Sequence, residues 1–387
     1  MVFLFYLLAI LSLAIGTAAI YMALIPSFPV QWLYYHYFIR KPIVWTILAG
    51  SSIWAFGIKL QTNEFPIWAL IPLALMGLAV ILTYKMHQEN AFKAVDFPVT
   101  SEDISSLPLK DEMQLGVIKY GGVTKAYPLD YVIHHHIIND RFGEHIVALT
   151  YCAMCHTIIP FDVTDMGPLF VGSFKNANMI VADRKTKTFF QQATCKSIIG
   201  KLHPHALTMI PFQILSWGDV KRLSPIPQVV QVTEKDFREF QLPIPGVWKK
   251  IVASEATPGL TARDRDKTFP ARTPVIGVID PIAKPQVVYL KKELMQRGLV
   301  KNEELDVFLV AVSHTVLGFK NSLNGKSLSI TLNPDKTLSD VSSGTAWDIR
   351  GKHIRGKIRS DLVSIALSDE YWFSWKKFHP GSKLIRV

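Results

Sequence analysis

The sequence predicts N-terminal transmembrane helices followed by a β-rich α+β soluble module built from two homologous halves. Three observations carry that prediction. Apolar runs of membrane-crossing length precede Lys85, short β-branched runs bounded by turn residues follow it, and several residue blocks recur at an offset of about 155 to 161 positions.

Residues 2–25 are almost uninterrupted apolar sequence, and two more such stretches cover 42–60 and 65–84. Each is close to the ~20 residues that cross a ~30 Å hydrocarbon layer at 1.5 Å per residue. Pro26, Pro29, Pro42 and Pro66 fall where the ends of these stretches are expected, and a missing amide donor costs least at a helix end. Trp32, Tyr34, Tyr35, Trp45 and Trp68 sit where an aromatic belt meets the interface. A cleaved signal peptide fits less well, because the first stretch has no basic leader and no small-x-small cleavage pattern. Residues 1–84 are therefore expected to form a multi-pass membrane block of about three helices, with the lipid bilayer as partner. Three spans put Arg40 and Lys41 on the same side as the segment that begins at Lys85. By the positive-inside rule that side, and the soluble module with it, faces the cytoplasm.

The net charge of +11 does not indicate nucleic acid. Lysine and arginine are scattered, and the densest group (Arg350, Lys352, Arg355, Lys357, Arg359) alternates with other residues as a solvated strand face would. Attraction to anionic lipid headgroups is the better use of such a charge beside a membrane.

Beyond the apolar stretches the pattern changes to strand grammar, with short runs at 115–120, 146–151, 157–163, 169–174 and 179–182. Helical patterning is confined to segments such as 129–138 and 291–297. Gly116-Val117-Ile118 recurs as Gly277-Val278-Ile279, and Gly200-Lys201-Leu202 as Gly356-Lys357-Ile358. Cys155-His156-Thr157 lies within a block that recurs around Ser313-His314-Thr315, and Ser216-Trp217 recurs as Ser374-Trp375. Blocks kept in order predict a duplication. The first half spans 85–230, a Pro-rich polar linker spans 231–272, and the second, diverged half spans 273–387.

Three cysteines, Cys152, Cys155 and Cys195, are too few for a disulfide scaffold. Cys152-Ala-Met-Cys155-His156 follows an apolar strand, and a strand end is a good place to present two thiols together. That spacing suits a redox dithiol, in which one thiol lowers the other's pKa by supporting its thiolate. It equally supplies two ligands for zinc or copper, with His156 and Cys195 completing the set. Cys-x-x-Cys-His is also the attachment pattern of c-type haem. The recurrence argues against haem, since the second half keeps the histidine as His314 but loses both cysteines. The histidine run His134-His135-His136 reads as part of an amphipathic helix, and Trp217, Trp372 and Trp375 as core anchors.

Ala126-Tyr127-Pro128-Leu129, Ile138-Asn139-Asp140 and Tyr151-Cys152-Ala153-Met154-Cys155 together resemble the family known as domain of unknown function 3179. So do Ala182-Asp183-Arg184-Lys185-Thr186, Gln192-Ala193-Thr194 with Gly200, and Trp217. The resemblance covers most of residues 100–387. It departs at Ala153-Met154, where the family has Pro-Leu, at His156, where a small or polar residue is usual, and at Cys195, where glycine is frequent. It implies a family and an exported module rather than a reaction. Three functions follow as expectations: thiol–disulfide redox chemistry at Cys152 and Cys155 with Cys195 as a third thiol, a zinc or copper module using Cys152, Cys155, His156 and Cys195, and a structural or interaction domain without catalysis.

Overall fold

The computed structural model describes all residues except 104–106, 224, 226, 234, 237, 239–249, 251–253, 265, 280–285 and 313–314. His314, on which part of the recurrence rests, lies outside the described residues. Three helices, α1 (Val2–Leu24), α2 (Val30–Thr62) and α3 (Leu70–Lys85, entered through the 3-10 turn Ile67–Ala69), are long and apolar enough to cross a membrane. A short turn of helix, α4 (Gln88–Ala91), leads into the β-rich remainder.

Helix α2 departs from expectation. It begins at Val30 and carries Pro42, Arg40 and Lys41 inside it, so Pro42 does not mark an end. Tertiary packing supplies the extra turns. Leu33 and Tyr34 lie against Phe170 and Phe189 of the β module, Tyr37 packs on Phe170, and Arg40 pairs with Glu89 at 3.5 Å. That ion pair sets the Arg40 level of α2 beside the point where α3 hands the chain to the β module.

Three sheets follow. The strands are β1 (Val95–Asp96), β2 (Thr100–Ser101), β3 (Gln114–Tyr120), β4 (Val123–Pro128), then helix α5 (Leu129–His135), and β5 (Ile137–Phe142), β6 (His145–Cys152), β7 (Thr157–Asp162). After them come β8 (Leu169–Lys175), β9 (Asn178–Asp183), β10 (Phe189–Gln191), β11 (Lys196–Ile199), β12 (Thr208–Met209), β13 (Gln213–Ser216), helix α6 (Trp217–Val220) and β14 (Gln228–Val230). They assemble in the orders β13-β3-β4-β14-β2, β1-β5-β6-β7-β12 and β11-β10-β9-β8.

The period of two along a strand sorts these sheets into layers. In β6, Val147, Leu149 and Tyr151 point into one core with Ile118, Tyr127 and Val132, while Ala148 and Cys152 point into the opposite core with Leu169, Val171, Met179 and Val181. In β9 the alternation repeats. Met179 and Val181 face Cys152, and Ile180 and Ala182 face Met22, Ala23 and Leu33 of the apolar helices. The ends of the helices, the β8–β11 sheet, the β5–β7 sheet and the β3–β4 sheet therefore stack in that order. The predicted helix over 129–138 stops at His135, because His136 adopts a left-handed backbone and the chain returns as β5.

The C-terminal sheets follow the same sequence of elements. They contain β15 (Pro274–Val278), β16 (Val287–Leu290), helix α7 (Lys291–Arg297), β17 (Leu299–Asn302), β18 (Val307–Val312), β19 (Thr315–Lys320), a small hairpin β20 (Ser322–Leu323) and β21 (Lys326–Ser327), and β22 (Ile330–Leu332). The chain closes with β23 (Leu338–Asp340), β24 (Thr345–Trp347), β25 (His353–Arg355), β26 (Ser364–Ile365), β27 (Leu367–Tyr371), helix α8 (Trp372–Phe378) and β28 (Lys383–Ile385). The orders are β27-β15-β16-β28, β17-β18-β19-β26 and β22-β23-β24-β25. The first of these parallels β13-β3-β4-β14 down to its last pair: β14 joins β4, and β28 joins β16, in parallel, while the other neighbours run antiparallel.

Lys175 ties the layers to α1. Its side chain is 3% exposed, and its ammonium donates to the carbonyls of Met22 and Ile25 at 2.7 and 2.6 Å. The last carbonyls of a helix have no partner within it, and a cation there also suits the helix dipole. Lys175→Met keeps the apolar stem but takes the ammonium away from the Met22 carbonyl and leaves the Ile25 carbonyl with the Phe28 amide alone. It should lower stability by about 1–3 kcal/mol, measured as the unfolding midpoint of detergent-solubilised protein; an unchanged midpoint would remove this cap from the account.

Candidate functional site

Cys152 closes β6, paired with Thr157 at the start of β7, and Cys155 lies in the tight turn between them. The turn is possible because His156 takes a φ of 60°. The three thiols are free, and Cys152, Cys155 and Cys195 are 5%, 0% and 6% exposed in one core between the β5–β7 and β8–β11 sheets. Cys195 also ends a four-residue turn, with its amide bonded to the Gln192 carbonyl and a φ of 60°. That backbone is one glycine adopts without cost.

The core around the sulfurs is dry but not apolar. Cys155 Sγ accepts from the Thr157 hydroxyl at 3.0 Å and from the Asn178 amide at 3.1 Å. Asn178 Oδ1 accepts in turn from the Ala193 amide and from Gln191 Nε2. Gln192 Nε2 donates to Thr150, whose hydroxyl donates to the Ile159 carbonyl. A buried network thus joins the Cys152–Cys155 turn to the turn holding Cys195. Such a network stabilises only when each member is paired.

The two thiols of the pair differ electrostatically. Burial alone would raise Cys152, but the Cys155 thiol and the backbone amides of Cys155, Met154 and Met179 aimed at its sulfur outweigh it, so its pKa falls below the ordinary thiol value. Burial raises Cys155 well above that value; once Cys152 carries a negative charge, and with Glu370 nearby, a second ionisation becomes harder still. Cys195 is pushed up to about 12 by burial and then by Glu370. The pair therefore gives up one proton, and gives it up from Cys152.

Glu370, on β27, was not visible in the sequence as a member of this site. It is 1% exposed, and the amide of the next residue, Tyr371, donates to the Cys155 carbonyl at 3.0 Å. Asn178, Thr157 and Gln192 were likewise missed as thiol neighbours, although Gln192-Ala193-Thr194 stood out as a motif. His156 turns outward. Its ring stacks on Tyr371 at 5.3 Å and 15°. Among the described residues no group of three or more His, Cys, Asp and Glu side chains is gathered as a metal ion requires. His136 is buried between Phe92 and Tyr151, where burial lowers its pKa to about 4. The other motif residues build the frame: Asp140 accepts from Lys125 and Tyr127 in a buried cluster, Asn139 joins β5 to Asp96 and Leu169, and Asp183 closes the turn to Thr188.

Two cavities flank the cysteine hairpin on opposite sides. One, of about 450 Å³, lies on the Tyr151 face and is lined by Asp130, Tyr151, His156, Phe212, Lys291 and Asp369. The other, of about 410 Å³, is lined by Leu260, Phe269, Ala271 and Phe373, and three of those residues pack in the same core as the sulfurs. Residues expected to be a linker therefore wall the thiol side.

A layered β module behind three apolar helices, with a buried Cys-x-x-Cys turn at its centre, sets the class of the protein. The chain belongs to the family described as protein of unknown function (DUF3179), whose model matches residues 89–382. No curated protein and no solved structure matches it.

Native-state alkylation followed by peptide mass spectrometry should modify Cys152 before Cys155 and Cys195, with a rate that rises with pH below the ordinary thiol range. Equal labelling of the three would contradict the electrostatic split. Asn178→Ala strands the Ala193 amide and removes a donor from Cys155 Sγ, and should cost about 1–3 kcal/mol of stability in a denaturant titration.

Proposed function

We propose that this protein is a membrane-held thiol–disulfide oxidoreductase. The observation that carries the reading is the Cys152–Cys155 turn, where two free thiols three residues apart share one buried core with Cys195; the electrostatics agree in direction, with Cys152 lowered and Cys155 raised. Exchange needs a low-pKa thiolate to attack and a second sulfur within reach to resolve. Cys152 attacks a disulfide of the substrate, forming a mixed disulfide and expelling one substrate thiolate. Cys155 then attacks Cys152 Sγ, forming the Cys152–Cys155 bond and releasing the second substrate thiol. The substrate disulfide gains two electrons and the protein dithiol loses them. Cys195, in the same core, is a third thiol in reserve. The cavity over Ala271 and Phe373, whose walls share the core with the sulfurs, is the proposed side of approach for a substrate. Cys152→Ser should abolish a reversible two-electron change measured against glutathione redox buffers. Stoichiometric zinc or copper that survives purification and protects both thiols would overturn the proposal.

The membrane setting and the duplication belong to the same proposal. The three apolar helices are read as spans of a multi-pass anchor, with the module on the cytoplasmic side. Enzymatic activity of an alkaline phosphatase fused after Val387 requires export and would reverse that side; silence with stable expression is the expected result. The duplication reading is supported by matched details beyond strand order. Thr188 and Gly200 touch as Thr345 and Gly356 do, and the Thr188 hydroxyl accepts from the Leu202 amide as the Thr345 hydroxyl accepts from Ile358. Gly116 and Gly277 each lie under an aromatic ring, Phe212 and Trp375, where a Cβ has no room. The Ser216-Trp217 and Ser374-Trp375 blocks do not correspond in place, since Trp217 starts its helix and Trp375 lies one turn inside α8, which Trp372 starts. In this reading the first half keeps the chemistry and the second supplies a wall.

A further inference from the structure

We infer that Glu370 is the proton acceptor for Cys155, the group that makes a nucleophile of a thiol walled off from water. The inference rests on the thiol-redox reading and adds a residue from the far end of the chain to it. Resolution of the mixed disulfide needs Cys155 as a thiolate, and Cys155 is fully buried with Thr157 and Asn178 as its polar neighbours. Both of those donate to the sulfur, so they stabilise a thiolate once it forms, but neither is a base. Glu370 is. Its strand is hydrogen-bonded directly to the cysteine turn through Tyr371 N and Cys155 O. One carboxyl oxygen accepts from the Ser368 hydroxyl at 2.7 Å, and the buried Ser374 hydroxyl lies beside the carboxyl as well. Taking a carboxyl to 1% exposure with two hydroxyls for support is costly for structure alone.

The charges around it agree. The charge of Glu370, from the second set of sheets, acts on Cys155 and Cys195, with Asp369 and Tyr371 beside it on its own strand, and Arg272 acts on Tyr371. Burial, against the opposing hydrogen bonds of Ser374 and Ser368 and with help from Asp369, pushes its carboxyl up to about 7. An acid tuned to that level both takes and returns a proton near neutral pH. In the resolving step the Glu370 carboxylate takes the Cys155 proton, the Cys155 thiolate bonds to Cys152 Sγ, and the departing substrate thiolate receives the proton from the carboxylic acid. The co-reactant is the substrate disulfide and nothing else is consumed.

The test uses the full chain in detergent with a chromogenic aryl disulfide, which releases one coloured thiolate on attack and a second on resolution. In the wild type the second release should accelerate as pH rises through about 7. Glu370→Gln should leave the first release within about twofold and slow the second by roughly 100-fold, with the inflection lost. Equal second-step rates in Glu370→Gln and wild type would overturn the assignment. A wild type that never gives a second release would instead sink the redox reading itself. Should Glu370→Gln not fold, Glu370→Asp decides by the same readout: a slowed second step that keeps its pH inflection supports the inference, and an unchanged one overturns it. A merely structural carboxyl would move stability instead. Because folding raises the Glu370 pKa, its contribution is full below about 4.5 and is lost as pH rises through about 7, a dependence that Glu370→Gln should flatten without touching the second release.

Discussion

Everything in this molecule hangs on one sheet that has no wet face. The β8–β11 sheet presents Val171, Met179 and Val181 to the cysteines and Phe170, Ile180 and Ala182 to the helix ends. Strands buried on both sides normally read as continuous apolar runs, and β9 is buried along its whole length. Covering one face requires the Cys152 hairpin, and covering the other requires α1 and the early turns of α2. Remove either cover and an apolar surface is left open, so the cysteine site and the apolar helices are two sides of one packing solution.

The price of seating thiols in that layer is an interior that must satisfy many polar atoms without water. It does so by chaining amides and hydroxyls from five segments onto two turns, with Asn178 at the hub. The same dryness separates the sulfurs. Backbone amides concentrated on Cys152 give it a place to hold charge, while the donors on Cys155 are the side chains of Thr157 and Asn178. Burial that would silence an isolated thiol becomes, in company, a means of ranking three of them.

Much of this was legible from the chain. Three apolar stretches, the hairpin around Cys152 and Cys155, the helix at 291–297 and the buried tryptophans all follow from local pattern. The start of α2 did not, because Leu33, Tyr34 and Tyr37 are helical on account of Phe170 and Phe189, which lie more than a hundred residues away. His136 ended α5 early through a backbone angle that its side chain does not advertise. The thiol neighbours were hidden for the same reason. Asn178 reaches Cys155, and the strand of Glu370 reaches its turn, only after separate sheets close on each other, and nothing in a residue's own surroundings marks that meeting. The motif blocks were visible, yet most of them turned out to be framework: turns at Asp183, a buried ion cluster at Asp140, and glycines beneath rings.

The bond from Lys175 to the end of α1 has a mechanical consequence. An enzyme on a flexible tether sweeps a hemisphere and can choose its distance from the lipid. Here the ammonium clamps the first helix to the strand that backs the thiols, and adjacent layers stack about 10 Å apart. In the proposed membrane setting the sulfurs ride at a set altitude above the headgroups, and whatever meets them has to come to that height.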